Sequence, residues 1–503
     1  MKNHVFEKMD RLPPGKRLLG TKYVFKTKVD ANGKLERFKA RLVAKGYLQR
    51  FGEDFTDTSS PVVLFNTLKL VFGIAAQEDL EVHAIDVETA FLNAPLDEDL
   101  YIAAPPGFVA FEPGSVLKLN RALYGLKQAG RNWNLLVSDQ LRGLGLLPLE
   151  HSDVCLFVKK SKSGKRIILA LYVDDMVLVF DQSDAAEIAE LKRGMGEKFK
   201  IKDLGDAQSI LGVRITRNRA EKTITLDQGP YAEKILGLFG FGNPCRIESV
   251  PARVGKESEM PAEALSRGEE LGDSEERGSV TTGNFASVVG AIGYLANQTR
   301  PDLAYAWNAL TRSVASPDAA AVRAVKYLLR YVKSKPDIGI TLRSVEGGDQ
   351  LVAYSDSNWG NDAKDGVSIS GSLFILANAA VGWQSQKQKT VSVSSSEAEY
   401  VSASEASRTI IWYRTILSAL GLPQEPTVLF MDNQTSIRFA TEESCTPRRK
   451  HINVKYHYIR EQILSGLIQP KWIPTAEQLA DIFTKPLGRT AFVRLRDTIM
   501  GLS

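Results

Sequence analysis

Two runs of apolar, strand-forming residues enclose a pair of acidic residues in the first half of the chain. The runs cover residues 167–173 and 176–180, and Asp174 and Asp175 stand between them. This pattern predicts a β-hairpin with the two aspartates at its turn. An Asp-Asp pair by itself is more often a plain turn between core strands. Adjacent carboxylates in so apolar a setting nevertheless repel each other and lose hydration, which makes a purely structural role costly.

A strand that ends in an acidic residue precedes this hairpin. Residues 82–86 are mostly apolar and end in Asp86, after a helix that we predict at about 65–77. The separation from Asp174 allows this strand to neighbour the hairpin in one sheet. One carboxylate from the strand and two from the hairpin would give three acidic ligands for two Mg²⁺ ions, as in-line phosphoryl transfer uses. A lone Asp here would more often cap a strand, but the Asp-x-x-x-Ala-Phe context favours the ligand.

The N-terminal fifty residues mix apolar and basic positions, which predicts a two-stranded basic ribbon. Residues 22–28 and 37–47 form its predicted strands, with an Asn-Gly turn between them. Lys39, Arg41 and Lys45 lie on the return strand. These cations could grip a triphosphate and a template strand.

Charge is distributed unevenly along the 503 residues, whose net charge is only +5. Residues 1–50 hold 14 Lys and Arg against 4 Asp and Glu, whereas residues 255–277 hold 3 basic and 8 acidic residues. A basic lobe on a nearly neutral protein is typical of phosphate-backbone binding, although a solvated basic face is the plainer alternative. Residues 255–283 are rich in Glu, Ser and Gly, which predicts a flexible acidic loop.

Cysteine usage and the length of the apolar runs favour a reducing setting away from membranes. The three cysteines, Cys155, Cys245 and Cys445, are far apart and odd in number, which argues against a disulfide framework or a cysteine-based zinc site. The N-terminus lacks the apolar core of a signal peptide, and the apolar stretches end well before about 18 residues. We therefore expect no transmembrane helix.

The last third of the chain again combines apolar strands with acidic residues. Five acids stand at the ends or starts of predicted elements: Asp356 and Asp432 after strands, Glu397 and Glu399 in a serine-capped helix, and Asp481 in a short late helix. A strand over about 391–393 is expected to lead into the capped helix. Each acid alone is more often a cap or a surface residue.

Four further segments, taken together with the acidic hairpin, carry a resemblance to a known family. Residues 20–26, 39–47, 86–92 and 123–129 occur in this order before Tyr172-Val173-Asp174-Asp175. Together they resemble the reverse transcriptase of copia-type LTR retrotransposons. The resemblance extends over nearly the whole chain.

This resemblance implies roles for individual residues of the first acidic set. Asp86, Asp174 and Asp175 would be the metal-binding triad. Nucleotide contacts would come from Lys39, Arg41, Phe91 and Gln128, with Phe91 as the aromatic steric gate against a 2′-hydroxyl and Gln128 beside the incoming nucleotide and template base. Lys45 would contact nucleic acid. Gly130 departs from the proline that the family usually has after Lys-Gln-Ala, which loosens the expected turn.

The second acidic set resembles the four-carboxylate site of ribonuclease H. Its metal ligands would be Asp356, Glu397 or Glu399, Asp432 and Asp481. We favour Glu399 over Glu397, because its Glu-Tyr pair matches the family pattern better. Lys450 and His451 belong to a basic loop that would contact the hybrid, with a surface histidine as the alternative for His451. Asn453 stands where the family usually has Asp.

The predicted fold class is an α+β right-hand polymerase with fingers, palm and thumb, followed by an α/β ribonuclease H-like domain. Residues 1–225 would form the reverse transcriptase fingers and palm. Residues 226–345 would form the thumb and connection and contain the acidic loop 255–283. Residues 346–503 would form the ribonuclease H-like domain.

The predicted function is RNA-directed DNA polymerisation coupled to cleavage of RNA in RNA–DNA hybrids, which together copy retrotransposon RNA into cDNA by two-metal phosphoryl transfer. Each active site would take two Mg²⁺ ions, with Mn²⁺ as an alternative. Expected partners are RNA template, DNA primer, RNA–DNA hybrid and dNTPs, together with the integrase and capsid protein of the same element, and no membrane. The expected location is intracellular, in a cytoplasmic virus-like particle or the nucleus.

Two other classes of protein share these features. A degenerate element remnant would bind nucleic acid without catalysis, and a domesticated interaction protein would retain only the fold. The intact acids argue against both, while Gly130 and Asn453 leave room for them. The ribonuclease H-like segment disfavours a group II maturase or a telomerase. Because no protease box, zinc cluster or integrase segment precedes the polymerase motifs, we expect a processed product, an engineered fragment or a truncated reading frame.

Overall fold

The computed structural model describes residues 4–29, 35–105, 107, 111–242, 245–253, 280–360, 366–442 and 457–502. The strands are, in chain order, β1 (Phe6–Met9), β2 (Leu18–Leu19), β3 (Thr21–Val29), β4 (Leu35–Ala44), β5 (Glu81–Val87), β6 (Tyr101–Ala103), β7 (Val116–Leu119), β8 (Leu147–Leu149), β9 (Asp153–Lys160), β10 (Arg166–Tyr172), β11 (Asp175–Phe180), β12 (Ile201–Asp206), β13 (Ser209–Ile210), β14 (Val213–Asn218), β15 (Thr223–Asp227), β16 (Ile340–Arg343), β17 (Val352–Asn358), β18 (Ile369–Leu376), β19 (Ala379–Lys387), β20 (Thr427–Met431) and β21 (Ile468–Trp472).

The helices are, in chain order, α1 (Phe65–Gln77), α2 (Ala129–Gly143), α3 (Ala185–Lys198), α4 (Gly229–Leu238), α5 (Phe285–Gln298), α6 (Ala304–Thr311), α7 (Ala319–Ser334), α8 (Ser395–Ala419), α9 (Gln434–Thr441), α10 (Tyr458–Leu464) and α11 (Arg489–Ile499). The predicted helix at about 65–77 is confirmed as α1. Lys450, His451, the Asn-Gly turn of the ribbon and most of loop 255–283 lie outside the described residues.

Two compact units divide the chain. Unit one consists of Met1–Leu64 and Glu81–Asp206, and unit two consists of Phe65–Leu80 and Ala207–Ser503. Each set of candidate acids therefore lies wholly within one unit. The predicted domain boundaries at 225/226 and 345/346 stay predictions.

A six-stranded antiparallel sheet forms the centre of unit one, in the order β12-β5-β11-β10-β9-β8. Its middle strands β10 and β11 are buried along continuous apolar runs, Ile167–Leu171 and Met176–Phe180. Such runs predict a strand covered on both faces rather than one with alternating exposure. Helix α2 contacts β8, and helix α3 contacts β12.

A separate two-stranded sheet, β3–β4, is the ribbon predicted from the N-terminal pattern. Val24 lies opposite Arg41 and Lys26 opposite Lys39. Because side chains alternate along a strand, these pairs share one face and give it a basic character. The other face is apolar, and its Phe38 side chain is 78% exposed.

A four-stranded sheet and a group of helices make up the first half of unit two. The sheet order is β13-β14-β15-β16. Helix α1 contacts β15, β16, β18 and β19, and it is buried around its whole circumference from Thr67 to Ala76. A mostly apolar helix is expected in such an enclosed position, although its buried stretch includes Thr67 and Lys69. Helices α5, α6 and α7 lie between this sheet's strands β15 and β16 in chain order.

A five-stranded mixed sheet dominates the rest of unit two, in the order β19-β18-β17-β20-β21. Strands β17, β18 and β19 are antiparallel, whereas β20 is parallel to both β17 and β21. Helix α8 packs on β17 and β18. The strand predicted over 391–393 is wrong, because exposed Val391 and Val393 find no pairing strand and β19 has already ended at Lys387.

No helix among the described residues is long and apolar enough to cross a membrane.

Candidate active sites: two groups of carboxylates

The predicted acidic hairpin is present, and its turn is two residues long. Tyr172 pairs with Asp175 across strands β10 and β11, which leaves Val173 and Asp174 as the turn. On the other side of β11, Asp175 lies directly opposite Asp86 of β5. Side chains directly opposite each other have Cβ atoms about 5 Å apart. The sheet thus brings together the three acids of the first predicted set, which we call the hairpin acids.

Backbone strain and two specific hydrogen bonds define the turn that presents Asp174. Val173 has φ of 55°, in the left-handed region that costs a β-branched residue about 1–2 kcal/mol. The buried indole of Trp133 donates to the Val173 carbonyl at 2.7 Å. The Val87 amide donates to the Asp174 carbonyl at 2.9 Å. Such strain persists only where neighbouring groups hold the turn, and it accumulates at functional sites.

Burial and mutual repulsion disfavour the ionised form of the hairpin acids. Burial, followed by the charges of Asp174 and Asp86, raises the pKa of Asp175 to about 6. Burial and the charge of Asp86 also raise the pKa of Asp174, against the opposing effect of Arg41 and Lys39. The basic face of the ribbon is therefore close enough to act on the turn. A bound cation would relieve the remaining repulsion.

Phe91, the predicted steric gate, lies immediately beyond β5 in the short 3₁₀ helix Ala90–Asn93. Its ring centroid is 5.1 Å from that of Tyr124. The charges of Asp174 and Asp86 contribute to a raised pKa of Tyr124, mainly caused by burial, so this ring lies beside the acids. Sequence reasoning gave Tyr124 no role, although the segment 123–129 that contains it was recognised.

Gln128 lies inside unit one and is engaged by the protein itself. Its amide nitrogen donates to the Asp54 carbonyl at 2.8 Å and to Glu98 at 3.0 Å, and its amide oxygen accepts from Gln49 at 3.0 Å. The side chain is 2% exposed. The predicted nucleotide contact of Gln128 stays a prediction, and these bonds give the residue an internal role in holding the start of α2.

Gly130 does not interrupt the helix that follows the Lys-Gln-Ala segment. It lies in the first turn of α2, where a Cβ atom would come within 2.6 Å of the Ser60 hydroxyl oxygen. The departure from proline thus leaves α2 intact, because the glycine makes room for Ser60.

The second set of acids converges more tightly. Carboxylate oxygens of Asp356, Glu399 and Asp432 all lie within 4.8 Å of one another, and we call these residues the buried acids. They come from strand β17, helix α8 and the residue following β20. Asp481, the fourth predicted ligand, lies in the 3₁₀ helix Leu479–Phe483, where the charge of Asp356 acts on it.

Burial and mutual repulsion disfavour the ionised form of the buried acids as well. One oxygen of Glu399 accepts from the Ser357 amide at 3.0 Å, and the other is buried with no hydrogen-bond partner in the described structure. Burial, together with the charges of Asp356 and Asp432, raises the pKa of Glu399 well above its ordinary value. Burial and Asp356 raise the pKa of Asp481 to about 7.

Lys485 supplies a cation that sequence reasoning missed. Its ammonium nitrogen lies 2.9 Å from an Asp481 carboxylate oxygen. Burial opposes the charge of Lys485, but the carboxylates of Asp356, Asp481 and Asp432 outweigh burial and raise its pKa. The i, i+4 spacing from Asp481 was the available signal, since such pairs meet on one helix face.

Of the two glutamates left open by the sequence, only Glu399 faces the other acids. Glu397 instead caps the start of α8: its carboxylate accepts from the Val393 amide at 2.8 Å, and its own amide donates to the Ser394 hydroxyl. Two residues along an α-helix are separated by about 200°, so the two side chains point in opposite directions. The placement favours Glu399 as the ligand.

A third group, Glu81, His83 and Asp206, is held by an ion-pair network. Lys192 lies 2.8 Å from the His83 Nδ1 atom, and Asp206 lies 3.5 Å from Nε2. An ammonium can only donate, so Nδ1 accepts and the Nε2 proton faces Asp206. Both ring nitrogens are thus occupied, and the group is a stabilising network rather than an open metal site.

The buried acids fit a hard divalent cation. Three carboxylates offer oxygen ligands, one buried oxygen lacks a partner, and mutual repulsion is relieved by positive charge. The hairpin acids offer the same donor type, although they are not among the groups whose ligand atoms converge within 4.8 Å in the described residues.

The chain is similar to proteins of known description along most of its length. A family profile described as reverse transcriptase (RNA-dependent DNA polymerase) matches residues 3–252. A retrovirus-related Pol polyprotein from transposon TNT 1-94 of Nicotiana tabacum is 37% identical over 98% of this chain. The corresponding polyprotein from transposon RE1 of Arabidopsis thaliana is 35% identical over 97%.

These alignments cover 36% and 32% of the two polyproteins, so the chain spans about a third of their length. A putative transposon Ty5-1 protein of Saccharomyces cerevisiae is 30% identical over 64% of this chain and 98% of its own length.

Proposed function

This chain belongs to the reverse transcriptase family of copia-type retrotransposon Pol polyproteins, and we propose that it both polymerises DNA on an RNA template and cleaves RNA in the resulting hybrid. In this proposal residues 1–225 supply fingers and palm, residues 226–345 supply thumb and connection, and the mixed sheet β17–β21 with α8 is ribonuclease H-like. The RNA template, DNA primer, dNTPs and hybrid are its substrates.

The observation that carries the polymerase proposal is the position of Asp86 opposite Asp175, with Asp174 at the adjoining turn. These acids would hold divalent cations, for which we propose Mg²⁺, and bound cations would supply charge stabilisation for in-line phosphoryl transfer. Lys39 and Arg41, which lie on the ribbon, neutralise the triphosphate of the nucleotide. Both charges lower the pKa of Asp174, so both residues lie near the hairpin acids. Phe91 lies beside the sugar.

Polymerisation is tested by Mg²⁺-dependent dTTP incorporation on poly(rA)/oligo(dT). We expect incorporation by the wild type and a loss of at least about 100-fold in Asp174→Asn, because losing even an outer partner of a metal site costs 10- to 100-fold. A folded wild type that binds the hybrid without incorporation would instead support a binding-only remnant.

The ribonuclease proposal rests on the convergence of the buried acids beside an orphaned carboxylate oxygen. Asp356, Glu399, Asp432 and Asp481 would hold the cations, while Thr475 orients Asp432 through a 2.8 Å hydrogen bond and Thr484 donates to Asp356. Trp472 donates from its indole to the Asp432 carbonyl and fixes the backbone there.

Hybrid cleavage is tested with a labelled RNA strand annealed to DNA, in the presence of Mg²⁺. We expect Glu399→Gln to lose cleavage by at least about 100-fold. Glu397→Gln is the matched control and should cleave nearly as well as wild type, because an amide oxygen can still accept from the Val393 amide. Loss of cleavage in Glu397→Gln with retention in Glu399→Gln would reverse the assignment.

A further inference from the structure

Tyr124 lies where the basic ribbon joins the rest of unit one. The Ala44 amide, at the end of β4, donates to the Tyr124 carbonyl at 2.8 Å. Gly125 has φ of 90°, and a Cβ atom there would come within 2.3 Å of the Ala44 carbonyl oxygen. A Cβ atom on Gly46 would come within 1.9 Å of the Gly125 carbonyl oxygen. The end of the ribbon is thus hydrogen-bonded to, and closely packed against, the Tyr124–Gly125 backbone.

The Tyr124 side chain extends from this junction to two different neighbours. Its ring packs against Phe91 with an interplanar angle of 58° and a centroid distance of 5.1 Å. The Arg41 guanidinium carbon lies 5.5 Å from the ring centroid. One half-buried side chain therefore contacts both a residue of the ribbon and a residue of the 3₁₀ helix that follows β5.

These two neighbours have separate tasks in the polymerase that we propose above. Phe91 would exclude a 2′-hydroxyl, which works only if its ring cannot rotate away from the sugar. Arg41 would meet the triphosphate, which works best if its guanidinium is already oriented. We propose that Tyr124 is the positioning residue for both: its ring packs against Phe91 and so sets the preference for deoxyribonucleotides, and the same ring orients the Arg41 guanidinium.

Two substitutions at this position test both tasks. Tyr124→Phe keeps the ring and both of its contacts, so the KM for dTTP and the preference for dTTP over UTP should stay within about twofold of wild type. Tyr124→Leu removes both aromatic contacts, so the preference should fall and the KM for dTTP should rise, each about 3- to 10-fold.

The measurement compares kcat/KM for dTTP and UTP on poly(rA)/oligo(dT). Leu147→Ala, an exposed side chain on the far edge strand β8, is the control and should match wild type in both values. Thermal unfolding of each variant shows whether it has folded. An unchanged preference or an unchanged KM in folded Tyr124→Leu would overturn the inference.

Equilibrium binding keeps this inference distinct from the polymerase proposal. Binding of dTTP and UTP to a complex with a chain-terminated primer needs no turnover. If the wild type binds dTTP selectively but does not incorporate it, only the proposed polymerase activity is overturned. In that case the inference still stands if Tyr124→Leu loses the binding selectivity and Tyr124→Phe retains it. Equal selectivity of all three proteins overturns the inference.

Discussion

Both groups of carboxylates place like charges close together, but they are assembled from different structural elements and are buried to different extents. The hairpin acids come from neighbouring strands and a strained turn, and all three are half-buried. The buried acids come from a strand, a helix and a loop, and Asp356 and Glu399 are 3% and 5% exposed. Strand register is enough to assemble the first group, whereas the second requires three elements to meet.

The two groups of carboxylates also differ in where their neighbouring cations lie along the chain. Cations near the hairpin acids, Lys39 and Arg41, belong to a ribbon far away in sequence. The cation beside the second group, Lys485, is four residues from Asp481 and part of the same segment. The first site therefore draws its nearby positive charge from a different segment of the chain, while the second keeps a cation next to its own ligands.

The largest expected effect is a reciprocal loss of two activities. Asp174→Asn should lose dTTP incorporation by at least about 100-fold and keep hybrid cleavage within about threefold of wild type, and Asp356→Asn should do the opposite. The reason is that each group lies wholly within one unit. Both activities are measured on the same preparations. Loss of both activities in either variant would show that the sites are not independent.

Removal of metal should expose the repulsion within the buried acids. In EDTA at pH 7.5 we expect Glu399→Gln to be more stable than wild type, on the order of 2 kcal/mol, because one charge of a buried like-charged group disappears. Denaturant unfolding measures this difference. Asp175→Asn, at the half-exposed site, is the comparison and should gain less.

The same repulsion makes the free energy of unfolding depend on pH. The sign of this dependence follows from the raised pKa values of Glu399 and Asp481. Above the ordinary carboxyl pKa of about 4 the folded state binds more protons than the unfolded state, so this stability is complete below about pH 4 and is lost as the pH rises, through about 7 for Asp481. Metal-free wild type should therefore become more stable on acidification across this range, and Glu399→Gln less so. A steeper rise in the variant would contradict the assignment.

A smaller effect should follow from removing the internal cation of the second site. Lys485→Met should lower metal-free stability by about 1 kcal/mol and raise the apparent Mg²⁺ affinity of that site about fivefold, because the ammonium and the metal compete for the same carboxylates. Isothermal titration in the Asp174→Asn background isolates this site. Lys485→Arg keeps the charge and should resemble wild type. Weaker Mg²⁺ binding in Lys485→Met would show that the ammonium and the metal do not compete for the carboxylates.

The smallest expected effect concerns strain at the first site. Val173→Gly should stabilise the protein by up to about 1 kcal/mol, because glycine adopts the left-handed conformation without penalty but loses more entropy on folding. Incorporation should fall while hybrid cleavage is unchanged. Asn378→Gly, at φ of 62° in the β18–β19 turn, is the control and should gain less, since Asn tolerates that region better. A larger gain at Asn378 would remove the argument for strain at Val173.

The sequence by itself determined the local features of both sites. The apolar runs on either side of Asp174 and Asp175 predict a buried hairpin, and the helix α1 and the basic ribbon follow equally from their patterns, because these depend on neighbouring positions only. The resemblance to reverse transcriptases followed from segments in a fixed order, and the relatives confirm the family. The predicted catalytic roles await the experiments above.

Only the tertiary structure decided which side chains meet. Strand register places Asp86 opposite Asp175. The rotational phase of helix α8 brings Glu399, rather than Glu397, to the buried acids. A junction between distant segments brings the Tyr124 ring against Phe91. The strand expected over 391–393 failed for the same reason, since a strand needs a partner that local pattern cannot supply. Periodicity fixes the elements, whereas contacts between them depend on packing over long sequence separations.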